Sequence, residues 1–144
     1  MRIFCDTSVL VAGSVRRHPH FPRARAVLES VAGEHDEGFI SCHSLAETYS
    51  ALTSLPLLPR LLPAEAERII QGNLLAHFRT IAVTRAMYDR AIDACVRQSL
   101  PGGKVYDALL LECARQANCK RIYTFNVEDF RRLAPHLEAA IVAP

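Results

Sequence analysis

Four acidic residues of the sequence stand where a short apolar run gives way to a helical pattern: Asp6, Glu47, Asp107 and Asp129. In open α/β sheets the working residues lie where strands end and helices begin, so parallel strands would bring these carboxylates to one crevice. No Lys or His is assigned to neutralise them there. Such a cluster repels itself unless a cation joins it, so the sequence predicts a cation-binding crevice.

The ligand chemistry indicates which cation would bind. Carboxylate oxygens without a cluster of Cys or His favour a hard metal, Mg²⁺ or Mn²⁺, over zinc. Mg²⁺ usually keeps several waters and takes only a few carboxylates together with a substrate phosphate. This combination is typical of metal-assisted hydrolysis of phosphodiester bonds.

The acidic residues also have purely structural interpretations. These are an N-cap at Asp6, a capping box at Ser44-x-x-Glu47 and a helix cap at Asn126-x-x-Asp129. Taken singly, each of them is the better interpretation. Asp107 is the exception, because it stands beside a nearly all-apolar helix pattern, where an unpaired carboxylate is costly to bury. We therefore expect Asp107 to face a cleft or a cation.

Basic residues near the predicted crevice are candidates for substrate binding. Arg16 and Arg17 belong to a basic stretch that could hold an RNA backbone, although a solvated charged surface is the commoner role of such a run. Gly102-Gly103-Lys104 is too short for a P-loop, but Lys104 could touch a phosphate near Asp107. The histidines are scattered, so no general base is assigned among them.

The elements that must position these residues follow from the hydrophobic periodicity. Apolar runs rich in β-branched residues alternate with longer helical patterns, which is typical of βαβ units on a parallel sheet. The predicted strands are Arg2–Cys5, Phe39–Cys42, Thr80–Val83, Arg121–Phe125 and Ala139–Val142. The predicted helices run from Pro22 to Val31, over Ala64–Phe78, over Met87–Gln98 with Thr84 as N-cap, and over Tyr106–Ala117.

One connection cannot be a central strand or a helix interior. Residues 55–63 combine five leucines with three prolines, which predicts an irregular apolar crossing. Its leucines could cap the core or form a surface for a subunit or a partner peptide. The sequence favours neither interpretation.

Length and composition limit the class of protein. A chain of 144 residues with 50% hydrophobic and 22% charged residues is typical of one globular domain, here residues 1–144. Its net charge of +2 does not by itself identify a nucleic-acid binder. Five cysteines without a C-x-x-C pair predict reduced core thiols and a cytoplasmic protein. No apolar stretch reaches the roughly 18 residues that a membrane span needs, and Asp6 comes too early for a signal peptide.

Four motifs together resemble a known family. They are Asp-Thr-Ser-Val-Leu at 6–10, Ala-Glu at 46–47, Tyr-Asp-Ala-Leu-Leu at 106–110 and Thr-Phe-Asn-Val-Glu-Asp-Phe at 124–130. In order and spacing they resemble the PIN-domain nucleases, and the short chain resembles the VapC-type toxins among them. The resemblance covers nearly the whole chain and implies a three-layer PIN-like fold, with a mainly parallel sheet of four or five strands flanked by helices.

The resemblance also implies roles for individual residues. The family's metal-binding acids match Asp6, Glu47 and Asp107. At the fourth position many relatives carry an aspartate where this chain has Asn126, with Asp129 farther along the following helix, so either residue could complete the site. Thr7, Ser8 and Thr124 match small polar positions at which a hydroxyl would hold a metal-bound water.

The implied function is a Mg²⁺- or Mn²⁺-dependent endoribonuclease that acts as a toxin, pairs with a cognate antitoxin and forms a homodimer. Two alternatives remain within the family: an RNA-processing nuclease without a toxin role, and a non-catalytic RNA-binding module, which Asn126 would favour. A phosphatase of the haloacid dehalogenase type is disfavoured, because Ser8 stands where that chemistry needs a second aspartate.

Overall fold

The computed structural model describes residues 1–144 as five strands, seven α-helices, one π-helical turn (Ile70–Leu75) and one 3₁₀ turn (Pro135–Leu137). The strands are β1 (Arg2–Cys5), β2 (Glu37–Ser41), β3 (Arg79–Ile81), β4 (Arg121–Tyr123) and β5 (Ile141–Val142). The helices are α1 (Thr7–Ser14), α2 (Phe21–Ala32), α3 (Cys42–Ser54), α4 (Pro63–Ile69), α5 (Arg85–Arg97), α6 (Lys104–Gln116) and α7 (Val127–Leu133). The strand order is β3-β2-β1-β4-β5 and every neighbouring pair is parallel, which confirms the predicted α/β sheet.

The central strand β1 shows how the sheet divides the core. Ile3 and Cys5 belong to an apolar cluster with α1, α2, α3 and α4, whereas Phe4 belongs to a second cluster with α5, α6 and α7. Successive side chains of a strand point to opposite faces, so the apolar run at residues 3–5 requires helices on both sides of the sheet. The result is the predicted three-layer arrangement.

Local signals fixed several of the helix boundaries. The Thr84 hydroxyl accepts a hydrogen bond from the Met87 backbone N–H at 3.3 Å, so it caps α5 as predicted. Pro63 begins α4 because the first helical position needs no backbone N–H. The predicted helix 64–78 is shorter in the structure: α4 ends at Ile69 and one wide π-helical turn continues to Leu75. Helix α1 was not predicted.

The crossing at residues 55–63 contains no strand and no helix before Pro63, which begins α4, as predicted. Leu55, Leu57 and Leu61 pack against the core cluster of the first face. Leu58 and Leu62 remain 86% and 63% exposed. Three leucines therefore cap the core and two lie on the surface, and the interpretation as a contact surface stays a prediction.

The cysteines depart from the prediction at one position. Cys5, Cys95 and Cys113 are buried and Cys119 is half-buried, but Cys42 is exposed. The prediction of a core thiol is wrong for Cys42 because β2 ends at Ser41 and the side chain of the first α3 residue faces solvent. None of the helices combines the length and the hydropathy that a membrane span requires.

Candidate active site

Asp6 lies at the carboxyl end of the central strand, immediately before α1. Its backbone N–H continues the sheet by donating to the Tyr123 carbonyl at 2.9 Å. The side chain is only 3% exposed, and its Oδ2 accepts hydrogen bonds from Ser8 (2.7 Å) and Thr124 (2.8 Å). It occupies the N-cap position without making a capping hydrogen bond. Two hydroxyls therefore fix a buried carboxylate at the edge of the sheet.

Glu47 lies in the second turn of α3. This helix follows β2, which is a direct neighbour of β1 in the sheet. The Thr7 hydroxyl donates to its Oε1 at 3.0 Å and lies 3.1 Å from the Ser44 hydroxyl. The capping box predicted for Ser44 and Glu47 is wrong, because α3 begins one turn earlier and the Ser41 hydroxyl caps it by accepting from the His43 N–H. Glu47 is thereby free of a capping role and is tied to α1.

Asp107 lies in the first turn of α6 and is half-buried. Burial, followed by the negative charge of Asp6, raises the pKa of its carboxyl to about 6; Asp129 and Glu47 act in the same direction, and Lys104 opposes them. All four predicted acids therefore lie near enough to interact. Three negative groups therefore act on Asp107 against one positive group, in addition to the effect of burial.

Asp129 lies in the first turn of α7 and forms an ion pair with the Lys104 ammonium. Asn126 is exposed at the N-cap of α7, and its side chain makes no capping hydrogen bond. The expectation that no Lys or His neutralises the acids is wrong, because α6 begins at Lys104 and brings its side chain to Asp129. His43 Nε2 also lies 3.7 Å from Glu47 Oε1.

Sequence reasoning missed two features of this edge. The His43 ring stacks on Tyr106, with ring centroids 5.7 Å apart and planes at 12°. Ser44, which was expected only as a cap, is buried behind Thr7. Tyr106 directly precedes Asp107 in the sequence. This adjacency was the available signal that an aromatic ring lies beside the acids.

The basic candidates take different positions around the carboxylates. Lys104 is part of the cluster, whereas Arg16 and Arg17 are exposed in the turn between α1 and α2. The Arg17 guanidinium donates to the Leu58 carbonyl at 3.1 Å, which ties it to the crossing at 55–63. Neither arginine forms an ion pair with the acids.

The donor set at this edge fits a hard cation. Its close carboxylates supply oxygen ligands, and their mutual repulsion is the charge imbalance that a divalent cation would relieve. No three Asp, Glu, His or Cys side chains lie close enough to form a complete ligand set by themselves. Hydroxyls hold one oxygen of Asp6 and Lys104 holds Asp129, so a cation here would complete its shell with water or substrate oxygens.

Comparison with known proteins identifies the family. The family model for the PIN domain matches residues 3–135. The chain belongs to the PIN-domain family. Among curated proteins, this PIN domain is similar to ribonuclease VapC40 of Mycobacterium tuberculosis, with 30% identity over 136 residues that cover 92% of this chain and 95% of the relative.

Solved structures show the same PIN fold. The crystal structure of M. tuberculosis VapC20, described as a toxin that cleaves the sarcin-ricin loop, superimposes with a TM-score of 0.69 at 21% identity, covering 88% of this chain and 92% of that one. A toxin-antitoxin complex from Klebsiella pneumoniae gives a TM-score of 0.66 at 20% identity, covering 99% and 97%. At these identities the likeness establishes the fold alone.

Proposed function

We propose that this PIN domain is a metal-dependent endoribonuclease and the toxin of a type II toxin–antitoxin pair. The observation that carries the proposal is that three other carboxylates, those of Asp6, Glu47 and Asp129, act on Asp107, whose pKa rises to about 6 through burial and through these charges. A relative named a ribonuclease over nearly the whole chain supports the choice of RNA as substrate.

Mg²⁺ or Mn²⁺ would be held by Asp6, Glu47, Asp107 and Asp129, with water or substrate oxygens between the cation and those carboxylates that do not reach it. When bound, such a cation supplies an activated water and stabilises the leaving oxygen of a phosphodiester. Asp129 is preferred to Asn126 as the fourth ligand, because its carboxylate acts on Asp107 and the Asn126 amide is exposed. The ion pair with Lys104 would open or be shared when the cation or a phosphate arrives.

The remaining residues of the site orient these ligands. Ser8 and Thr124 both donate to Asp6 Oδ2, which leaves Oδ1 free of hydroxyl partners. Thr7 holds Glu47 in a similar way from α1. These three hydroxyls preorganise the carboxylates, so that little side-chain freedom remains to be lost when a cation binds. Arg16 and Arg17 would hold phosphates of the RNA backbone outside the carboxylates.

A cognate antitoxin and a second copy of the chain are the proposed protein partners. The likeness to a chain from a toxin-antitoxin complex supports the first. An antitoxin could inhibit by sending an Arg into the crevice, since a guanidinium pairs with carboxylates through two hydrogen bonds and would compete with the metal.

The test is cleavage of defined RNAs by the purified protein in Mg²⁺, Mn²⁺ or EDTA. We expect cleavage in either metal and none in EDTA. Asp6→Asn should reduce the rate by at least about a hundredfold, because it removes a ligand charge and leaves the shape of the side chain unchanged.

A matched pair tests the fourth ligand. Asp129→Asn should weaken metal activation, whereas Glu128→Gln, one position away on the exposed side of α7, should not. Equal activity of wild type and Asp6→Asn would overturn the proposed site, and cleavage in EDTA would overturn the metal dependence.

A further inference from the structure

A cavity of about 480 Å³ opens beside the carboxylates, on the α1 side of the sheet edge. Thr7 and Ser8 form the wall that it shares with the acidic crevice, and Val11 and Ala51 contribute apolar surface. The Ser8 hydroxyl donates to Asp6 and accepts from the Phe125 backbone N–H at 3.2 Å. One side chain thus separates the cavity from the central carboxylate, so a ligand in the cavity would be a close neighbour of the reacting group.

Two aromatic rings form another wall of this cavity. His20 stacks on Phe125 with ring centroids 4.6 Å apart and planes at 18°, and the Arg23 guanidinium lies 5.6 Å from the Phe125 centroid. The two rings cover one face of each other, and because His20 is exposed and Phe125 is half-buried, the rest of the stack faces the cavity. Phe, His and Arg planes are the surfaces on which unpaired bases of single-stranded RNA stack.

His18 gives the cavity a polar group with a defined proton. Its Nδ1 accepts a hydrogen bond from the His20 backbone N–H at 3.1 Å, so the neutral ring carries its proton on Nε2. Burial, followed by the neighbouring His20, lowers the pKa of His18 below its usual value, which favours this neutral form at pH 7. The ring can therefore donate one directed hydrogen bond to an acceptor on a base edge.

The charge around the cavity matches a polyanion. Residues 7–28 contain four arginines and no acidic residue. Arg25 is paired with Glu29, but Arg16 and Arg23 form no ion pair. A peptide partner would gain little from unpaired arginines unless it were acidic, whereas every nucleotide brings a phosphate with its base.

We propose that this cavity holds one unstacked nucleobase of a single-stranded RNA, next to the phosphate positioned at the carboxylates. The inference rests on the proposed function and adds a requirement for an unpaired base. A paired base could not enter the cavity without leaving its duplex. The site would therefore select loops or single strands before any base edge is read.

The test measures binding, so it does not depend on cleavage. A fluorescein-labelled random-sequence RNA oligonucleotide is titrated with wild type, His20→Ala and Phe125→Leu in EDTA, and a duplex of matched length is titrated in parallel. Phe125→Leu keeps most of the apolar volume and removes the ring. We expect each variant to weaken single-strand binding by about tenfold, which is the loss of one base stack, and to leave duplex binding unchanged.

Tyr88→Leu is the matched control, because Tyr88 is an exposed aromatic residue on α5, outside the cavity. It should bind both RNAs as wild type does. Circular dichroism establishes that all variants are folded. If His20→Ala and Phe125→Leu bind the single strand as tightly as wild type, or lose both RNAs equally, the inference is wrong and the cavity serves another ligand, such as an antitoxin peptide. Failure of the wild type to cleave RNA would instead count against the proposed function.

Discussion

Asp6 and Asp107 are chemically identical side chains that the structure places in opposite situations. Asp6 is almost completely buried, but two hydroxyls donate to it. Asp107 is less buried, yet its pKa is set by burial and by neighbouring charges, without a hydrogen bond to stabilise the anion. The electrostatic cost of holding the carboxylates together is therefore largest at Asp107, in the first turn of α6.

This imbalance predicts how stability depends on pH. The pKa of Asp107 is raised from 3.8 to about 6, so its contribution to stability is fully present below about pH 4 and is lost as pH rises through 6. In EDTA at pH 7.5, Asp107→Asn should be more stable than wild type by on the order of 1 kcal/mol, after discounting for the exposed part of the carboxyl.

Thermal unfolding at pH 4 and pH 7.5 measures this effect. The difference between wild type and variant should be large at the higher pH and close to zero at the lower. Added Mg²⁺ should stabilise the wild type more than the variant, because a ligand that binds only the folded state raises its stability. A variant with the same advantage at both pH values would contradict the electrostatic explanation.

The sequence predicted the acidic residues of the site but not the residues that pair with them. Asp6, Glu47 and Asp129 could be predicted because each lies shortly after a strand, and parallel strands end at one edge. Asp107 could be predicted because an unpaired carboxylate is costly beside a nearly all-apolar helix. The Lys104–Asp129 pair joins residues that are 25 positions apart in the sequence. It depends on the relative placement of α6 and α7, which no local pattern specifies.

Among the helices and strands, the sequence predicted the boundaries that are set by contacts within a few residues. Thr84 caps α5 through a hydrogen bond to a residue three positions away, so its role is visible in the sequence. Helix α1 was missed because Val9, Leu10, Val11 and Ala12 are all buried and show no helical period. The start of α3 was misplaced because Ser41 and Ser44 both have cap chemistry, and only the end of β2 selects Ser41.

Strand β2 approaches the helix layer so closely that it tolerates no side chain at Gly38. A Cβ there would lie 2.6 Å from both Phe78 Cδ1 and Val31 Cγ1. Both neighbours are buried and cannot move aside, so Gly38→Ala should destabilise the fold by about 1–3 kcal/mol through overpacking.

Gly72→Ala is the matched control, since nothing lies within 4 Å of its Cβ position in the helical turn after α4. It should raise stability by roughly 0.5–1 kcal/mol, because alanine restricts the unfolded chain more than glycine does. Urea denaturation distinguishes the two substitutions. If Gly38→Ala were as stable as wild type, β2 would have to sit farther from Phe78 than the structure places it.

At the scale of the whole molecule, the crossing at 55–63 contains leucines that are exposed and leucines that pack on the core. Leu58 and Leu62 are exposed, whereas Leu61 packs on the core. The double variant Leu58→Ser, Leu62→Ser should keep the unfolding temperature of wild type and weaken binding to a second copy or to the antitoxin, because it removes exposed apolar surface.

Leu61→Ser should lower the unfolding temperature, since it loses a packed side chain and places a hydroxyl against apolar neighbours. Sedimentation velocity, antitoxin pull-down and thermal unfolding separate these outcomes. If the folded double variant still forms both assemblies at wild-type strength, the crossing is a cover of the core and the contact surface lies elsewhere.

The central place of β1 in the sheet has a consequence for the order of events during synthesis. The hydrogen bond between Thr124 and Asp6 joins residues 118 positions apart, and β1 gains its β4 neighbour only after all of α6 has been made. A nascent chain that has emerged as far as α6 has exposed Asp6, Glu47 and Asp107 to the cell, but it lacks Thr124 and Asp129. The proposed site would thus be completed only when the residues after α6 have been made. We expect every product that ends before Thr124 to lack a complete site.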